Sequence, residues 1–114
     1  MTPEHLVSQI RKYSIDEILK EYRQHFEEIP SEDALDSFWK DAIRLYQDLD
    51  PRQRIALLGI IRQGLVDNTS SLLAIFDGAS YVEGQEDDLE VFYSETGEKL
   101  SGDMQTIFLI AEEG

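Results

Sequence analysis

Residues 50–78 read DPRQRIALLGIIRQGLVDNTSSLLAIFDG, and the parsing of this stretch decides the fold. Asp50 is a helix N-cap, Pro51 takes the first helical position, and Gln53 is placed to complete a capping box. Asp77-Gly78 is an ending, with glycine in the left-handed conformation that closes a helix. Between them Ile55, Leu57, Leu58, Ile60, Ile61, Leu65 and Val66 are apolar on more than one face, the pattern of a helix surrounded by others. Asp67-Asn68-Thr69-Ser70-Ser71 interrupts the apolar run, and Leu72, Leu73, Ile75 and Phe76 resume it. No proline or glycine falls among the five polar residues, so one long central helix over about 52–77 is expected. Gly59 and Gly64 each cost about 1 kcal/mol against alanine in a helix interior. Their expected use is to let neighbouring helices approach closely.

Toward the N-terminus the helical period recurs. Thr2, Pro3 and Glu4 read as N-cap, first-turn proline and first-turn acid, and Leu6, Val7 and Ile10 form the apolar stripe. Ser14 with Glu17 reads as a capping box that restarts a second helix, whose stripe is Ile15, Ile18, Leu19, Tyr22, Phe26 and Ile29 up to Pro30. Ser31 is the expected cap of a third helix carrying Leu35, Phe38, Trp39, Ala42, Ile43, Tyr46 and Leu49 on one face. Toward the C-terminus, residues 79–88 read as an exposed loop. Leu89 to Tyr93 alternates like a strand, and Ser94-Glu95-Thr96-Gly97 is a turn, so a minimal strand pair is expected near 89–100. Met104, Ile107, Phe108 and Ala111 fall at helical spacing. Residues 106–110 also suit a buried strand, and helix is the preferred reading. The expected fold is mainly α, a single helical domain over 1–114, with four to five helices packed around the long central one.

The chain has 114 residues, no cysteine, and a formal charge of −14 from 24 acids against 10 bases. Without cysteine there is no thiolate nucleophile and no Cys-based zinc site. The apolar runs are too short to span a bilayer, and Met1 to His5 lacks a signal-like basic and apolar pattern, so a soluble cytoplasmic protein is expected. The acidity disfavours nucleic-acid backbones and anionic membranes as partners. It is also uneven. Residues 83–114 carry 10 acids against Lys99 alone, whereas residues 51–82 carry three arginines against Asp67 and Asp77.

Four constellations are candidates for chemistry. Glu21, His25 and Glu28 share a helical face at spacings used by metal sites in helical bundles. Matching ligands elsewhere are lacking, since His5 is the other histidine, so a solvated face is the simpler reading and no cofactor is expected. Arg62, Asp67, Asn68 and Ser70, with Thr69 among them, interrupt the most apolar part of the chain. They form either a polar pocket or an internal network pairing Arg62 with an acid of another helix. Arg52 and Arg54 oppose the helix dipole in the first turn, where Asp48 and Asp50 are the expected compensation. Glu83, Glu86, Asp87, Asp88 and Glu90 concentrate negative charge that would steer a cationic partner, with Tyr81 or Phe92 as an aromatic anchor. No serine sits in a nucleophile elbow, no histidine has a triad context, and there is no glycine-rich phosphate loop, so no catalytic residues are expected.

Two stretches, Val66 to Gly78 and Lys99 to Glu113, resemble small, uncharacterised bacterial proteins, some of them immunity partners of toxins. The resemblance implies that the C-terminal segment is a helix packed on the central one. It brings no catalytic residues. The functional expectation is a non-enzymatic, acidic protein-binding module of immunity or inhibitor type that masks a basic surface on a partner. The alternatives are a small-ligand or metal-binding helical protein, and a homodimer subunit joined through Phe38, Trp39 and Tyr46.

Overall fold

The computed structural model describes all 114 residues, and its longest element, α4 (Pro51–Phe76), is bounded as its sequence predicts. The Asp50 carboxylate accepts from the Gln53 N–H at 2.9 Å, and the Gln53 side chain accepts from the Asp50 N–H at 2.9 Å. At the far end Gly78 lies at φ +77°, a left-handed conformation that glycine adopts without steric cost. The five polar residues 67–71 stay within the helix. Their hydroxyl and amide groups are short enough to turn outward or sideways without breaking the backbone ladder.

The N-terminal arm is one rod. Helix α1 (Pro3–Arg11) is capped by Thr2, whose hydroxyl accepts from the His5 N–H at 3.1 Å. The chain then passes through a π-helical turn (Lys12–Asp16) directly into α2 (Glu17–Glu28), and Ser14 caps nothing. The apolar stripe steps by five residues from Ile10 to Ile15. At 3.6 residues per turn that step rotates by about 140°. A wider π turn absorbs the extra residue and returns Ile15 to the face of Val7. Both are 1% exposed.

Helix α3 (Ser37–Asp48) starts later than expected. Ser31–Asp33 is a single 3-10 turn, and Asp36 is the true cap, accepting from the Trp39 N–H at 2.8 Å. Leu35 therefore precedes the helix and is fully exposed, while Phe38 is 68% exposed. Strands β1 (Phe92–Tyr93) and β2 (Glu98–Lys99) pair antiparallel, Phe92 opposite Lys99 and Tyr93 opposite Glu98. Helix α5 (Met104–Glu113) closes the chain, settling residues 106–110 as helix.

Packing divides along α4. Its first half meets α2 and α3 through Phe26, Tyr46 and Leu58, with Trp39, Tyr22 and Ile61 around them. Its second half meets α1, the π-helical turn and α5 through Val7, Ile15, Val66, Leu73, Met104 and Phe108. The molecule is elongated, 49 × 34 × 25 Å, with a radius of gyration of 17.9 Å. About 13 Å is usual for a domain of this length.

Two expectations for α4 fail. It is not surrounded, because Ile55 and Ile60 are 74% and 70% exposed. Nor do Gly59 and Gly64 admit a neighbouring helix, since a Cβ built on either meets nothing within 4 Å. An elongated layout leaves one side of α4 open. No helix is long and apolar enough to cross a membrane.

Candidate functional site

The acidic loop after α4 is folded back on the helix end. A Cβ at Gly78 would lie 2.9 Å from Asp88 Cγ, so glycine is what lets the loop return this closely. The Tyr81 hydroxyl donates to the Asp88 carboxylate, and that bond holds the Tyr81 pKa above its usual value. Gln85 ties the loop from inside. Its carbonyl accepts from the Val82 N–H at 3.0 Å and its amide donates to the Asp87 carbonyl at 2.9 Å. Glu90 pairs with Lys99 at 3.4 Å, both half-exposed. Glu83, Glu86, Asp87, Asp88 and Glu90 are all exposed, and neither Glu83 nor Glu86 forms a salt bridge. Phe92 and Tyr81, 52% and 49% exposed, border this charge.

The band residues are distributed rather than gathered. Arg62 reaches across to Glu112 of α5, at 3.0 and 3.1 Å to its two oxygens, and Arg11 of α1 joins the same carboxylate at 2.8 Å. This pairs Arg62 with an acid of another helix and ties three helices at one point. The Glu112 pKa is pulled below the usual carboxylate value, first by the Arg62 hydrogen bonds and then by Arg11. Asp67 is exposed and takes a bond from Gln63 at 2.9 Å, and Ser70 accepts from Gln105 of α5 at 3.1 Å. Of Arg62, Asp67, Asn68 and Ser70, only Asn68 lines a cavity. They fall at different angles around α4, so no common pocket forms.

That cavity, of 410 Å³, opens between α1, the π-helical turn, α4 and Val91. Leu6, Ile10, Leu65, Leu72 and Phe76 form its apolar wall, with Ser14, Asn68 and Thr69 as its polar groups. Ser14 was hidden in the sequence by its resemblance to a helix cap. The five-residue step from Ile10 to Ile15 is the signal that reveals its true position inside a continuous rod.

Two further side chains earn roles that spacing concealed. Asp77 accepts from the backbone N–H groups of Gly102, Met104 and Gln105 at 2.7, 3.1 and 2.8 Å, so the residue ending α4 caps α5 from 25 residues away. Arg54 donates to the carbonyls of Tyr46 and Gln47 at 3.0 and 3.1 Å and lies 4.8 Å from the Tyr46 ring. The cation opposes the dipole of its own helix but sits at the negative end of α3, and it forms no salt bridge with Asp48 or Asp50.

His25 stacks on Trp39 with centroids 4.5 Å apart, and its Nδ1 lies 2.8 Å from the Glu21 carbonyl. No group of three His, Cys, Asp or Glu side chains is arranged to hold a metal ion. Of the residues expected at a dimer surface, Phe38 is exposed, Trp39 is half-buried, and Tyr46 is buried, its hydroxyl on Glu27 at 2.8 Å. Neither family models, nor curated proteins, nor solved structures match this chain.

Proposed function

We propose that this protein is a non-enzymatic protein-binding module, of immunity or inhibitor type, whose acidic loop covers a basic surface on a partner protein. The observation that carries the reading is the internal order of the loop at 81–88. Tyr81, Gln85 and the close approach at Gly78 fix its backbone, while Glu83 and Glu86 project without partners. A solubilising loop has no need of such order. A recognition loop gains from it, because a preorganised charge array loses less entropy on binding. Unpaired acids also repel one another in the free protein, and a cationic partner relieves that repulsion. Phe92, exposed on the adjoining strand, supplies an apolar contact beside the charge.

The test is capture from the native cell extract with the tagged protein and with a Glu83→Gln/Glu86→Gln/Asp87→Asn variant, at low and high salt. The module reading expects a basic protein retained by the parent at low salt, weakened by salt and lost by the variant. Identical retention by parent and variant, or retention insensitive to salt, overturns it.

A further inference from the structure

We propose that the cavity between α1, the π-helical turn, α4 and Val91 is a binding site for a small, uncharged, mainly apolar ligand that carries one hydrogen-bonding group. The inference is independent of the acidic loop and stands or falls separately from it.

The volume, 410 Å³, falls within the ~300–1,000 Å³ range of small-molecule pockets. Its lining contains no charged residue, although 30% of the chain is charged. An ionised ligand would give up its hydration there without a counter-charge, which is costly. The neutral wall therefore selects an uncharged ligand.

Thr69 identifies the polar end. It is 6% exposed and is the one buried polar residue of the protein. Its hydroxyl makes no hydrogen bond within the chain, even though a threonine inside a helix has the carbonyl four residues back within easy reach. The Ser14 hydroxyl and the Asn68 amide line the same cavity. The Thr69 hydroxyl, unused within the chain, is free to bond a polar group of the ligand, and the aliphatic wall takes the remainder of the molecule.

Another groove lined mainly by apolar residues supports the contrast. It measures 440 Å³ and is lined by Phe38, Trp39, Leu45 and Ile61 among others, with Asp41 at its edge. No buried polar group lies in it, so apolar shape alone does not mark a ligand site here. The hydroxyl does.

The experiment is an equilibrium titration of the full chain with N-phenyl-1-naphthylamine, an uncharged fluorescent probe with one N–H. Competition by 1-benzylnaphthalene, in which a methylene replaces the N–H, isolates the hydrogen bond. One saturable site is expected, with the amine bound about fivefold tighter than its methylene analogue, the ratio one ordinary hydrogen bond gives. Thr69→Val is expected to bring that ratio close to one while leaving the affinity for the methylene compound within about twofold. Leu72→Trp, at a half-exposed rim position that tolerates bulk, fills the cavity and should cut both affinities at least about tenfold. Leu45→Trp, in the other groove, should change neither. Absence of saturable binding, binding unmoved by Leu72→Trp, or a ratio unmoved by Thr69→Val in a variant with native circular dichroism overturns the proposal.

Discussion

The two halves of α4 are held by different chemistry. Along the first half the partners are aromatic. Phe26 stacks on Tyr46 at 4.7 Å, Trp39 meets Tyr22 edge-on at 5.6 Å, and Phe38 leans on Trp39 while staying largely in solvent. Along the second half the partners are mainly aliphatic and much more deeply enclosed. Of the five most completely buried large side chains, Phe108, Ile15, Met104 and Val7 belong to this half, and only Ile43 lies elsewhere. Two polar ties reinforce it, the Asp77 cap on α5 and the Glu112 junction with Arg11 and Arg62. The difference teaches that stability and available surface are separated along one helix. The second half closes the fold around a cavity and a loop, and the first half leaves aromatic edges open.

The comparison breaks most easily at Phe108. Phe108→Ala removes a ring with no solvent exposure from the deepest cluster, and a loss of about 3–5 kcal/mol is expected in urea denaturation. Phe26→Ala at the other end should cost less, because Phe26 is 7% exposed and its ring neighbours have room to relax. Amide hydrogen exchange separates the halves further. Phe108→Ala should accelerate exchange in α1, α5 and residues 65–76 before residues 51–61. Equal losses, or uniform acceleration, would mean that α4 unites the two clusters into one cooperative unit.

Asp77 ranks next. Asp77→Ala strips three N–H groups at the start of α5 of their acceptor, and about 2 kcal/mol is expected, the upper end of a lost cap. Thermal unfolding of the variant reads it. A loss under about 0.5 kcal/mol would show that solvent satisfies those groups equally well.

Much of this layout was legible in the residues, and the failures have physical causes. Thr2, Asp50 with Gln53, and Gly78 act locally, through bonds spanning three residues or a single backbone dihedral, so their spacing carries their role. Ser14 misled because a serine three residues before a glutamate has the same spacing in a cap and in a π turn. Ser31 misled because Asp36, also followed by a helix, stands five residues on. Asp77 and Glu112 stayed hidden because their partners lie 25 or more residues away, where no periodicity reaches. The acidic loop was legible as charge, but its internal ordering by Tyr81 and Gln85 was not. The cavity was half legible: Asn68 and Thr69 stood out as polar residues in an apolar run, whereas Ser14 required the π turn to bring it there.

A pH profile sharpens the comparison at Glu112. Its pKa in the folded protein lies below the ordinary 4.5, held there by Arg62 first and Arg11 second. A depressed carboxylate contributes stability above its unfolded pKa and loses that contribution as pH falls through the folded one. Glu112→Gln should therefore cost about 1–2 kcal/mol near pH 7, since it removes charge-assisted bonds at a carboxylate only 14% exposed. The gap between parent and variant should narrow below pH 4.5 and close once Glu112 is protonated in the folded state. A gap that persists unchanged in acid would mean that the carboxyl group acts here by shape and hydrogen bonding rather than by charge.

The smallest effect has the opposite sign and tests the open side of α4. Gly59 and Gly64 sit in helix interior with nothing within 4 Å of a built Cβ, so alanine meets no steric obstacle at either. Alanine lowers the entropy of the unfolded chain and suits a helix better, and a gain of about 0.5–1 kcal/mol per site is expected. Denaturation of Gly59→Ala and Gly64→Ala at high and at low protein concentration measures it. If either variant is instead destabilised, something covers that face in solution, and the exposed Ile55 and Ile60 on the same helix make a second copy of the chain the first occupant to look for. Comparing the two concentrations then decides, because a self-associated chain would lose the penalty on dilution, whereas a monomer would show the alanine gain at both.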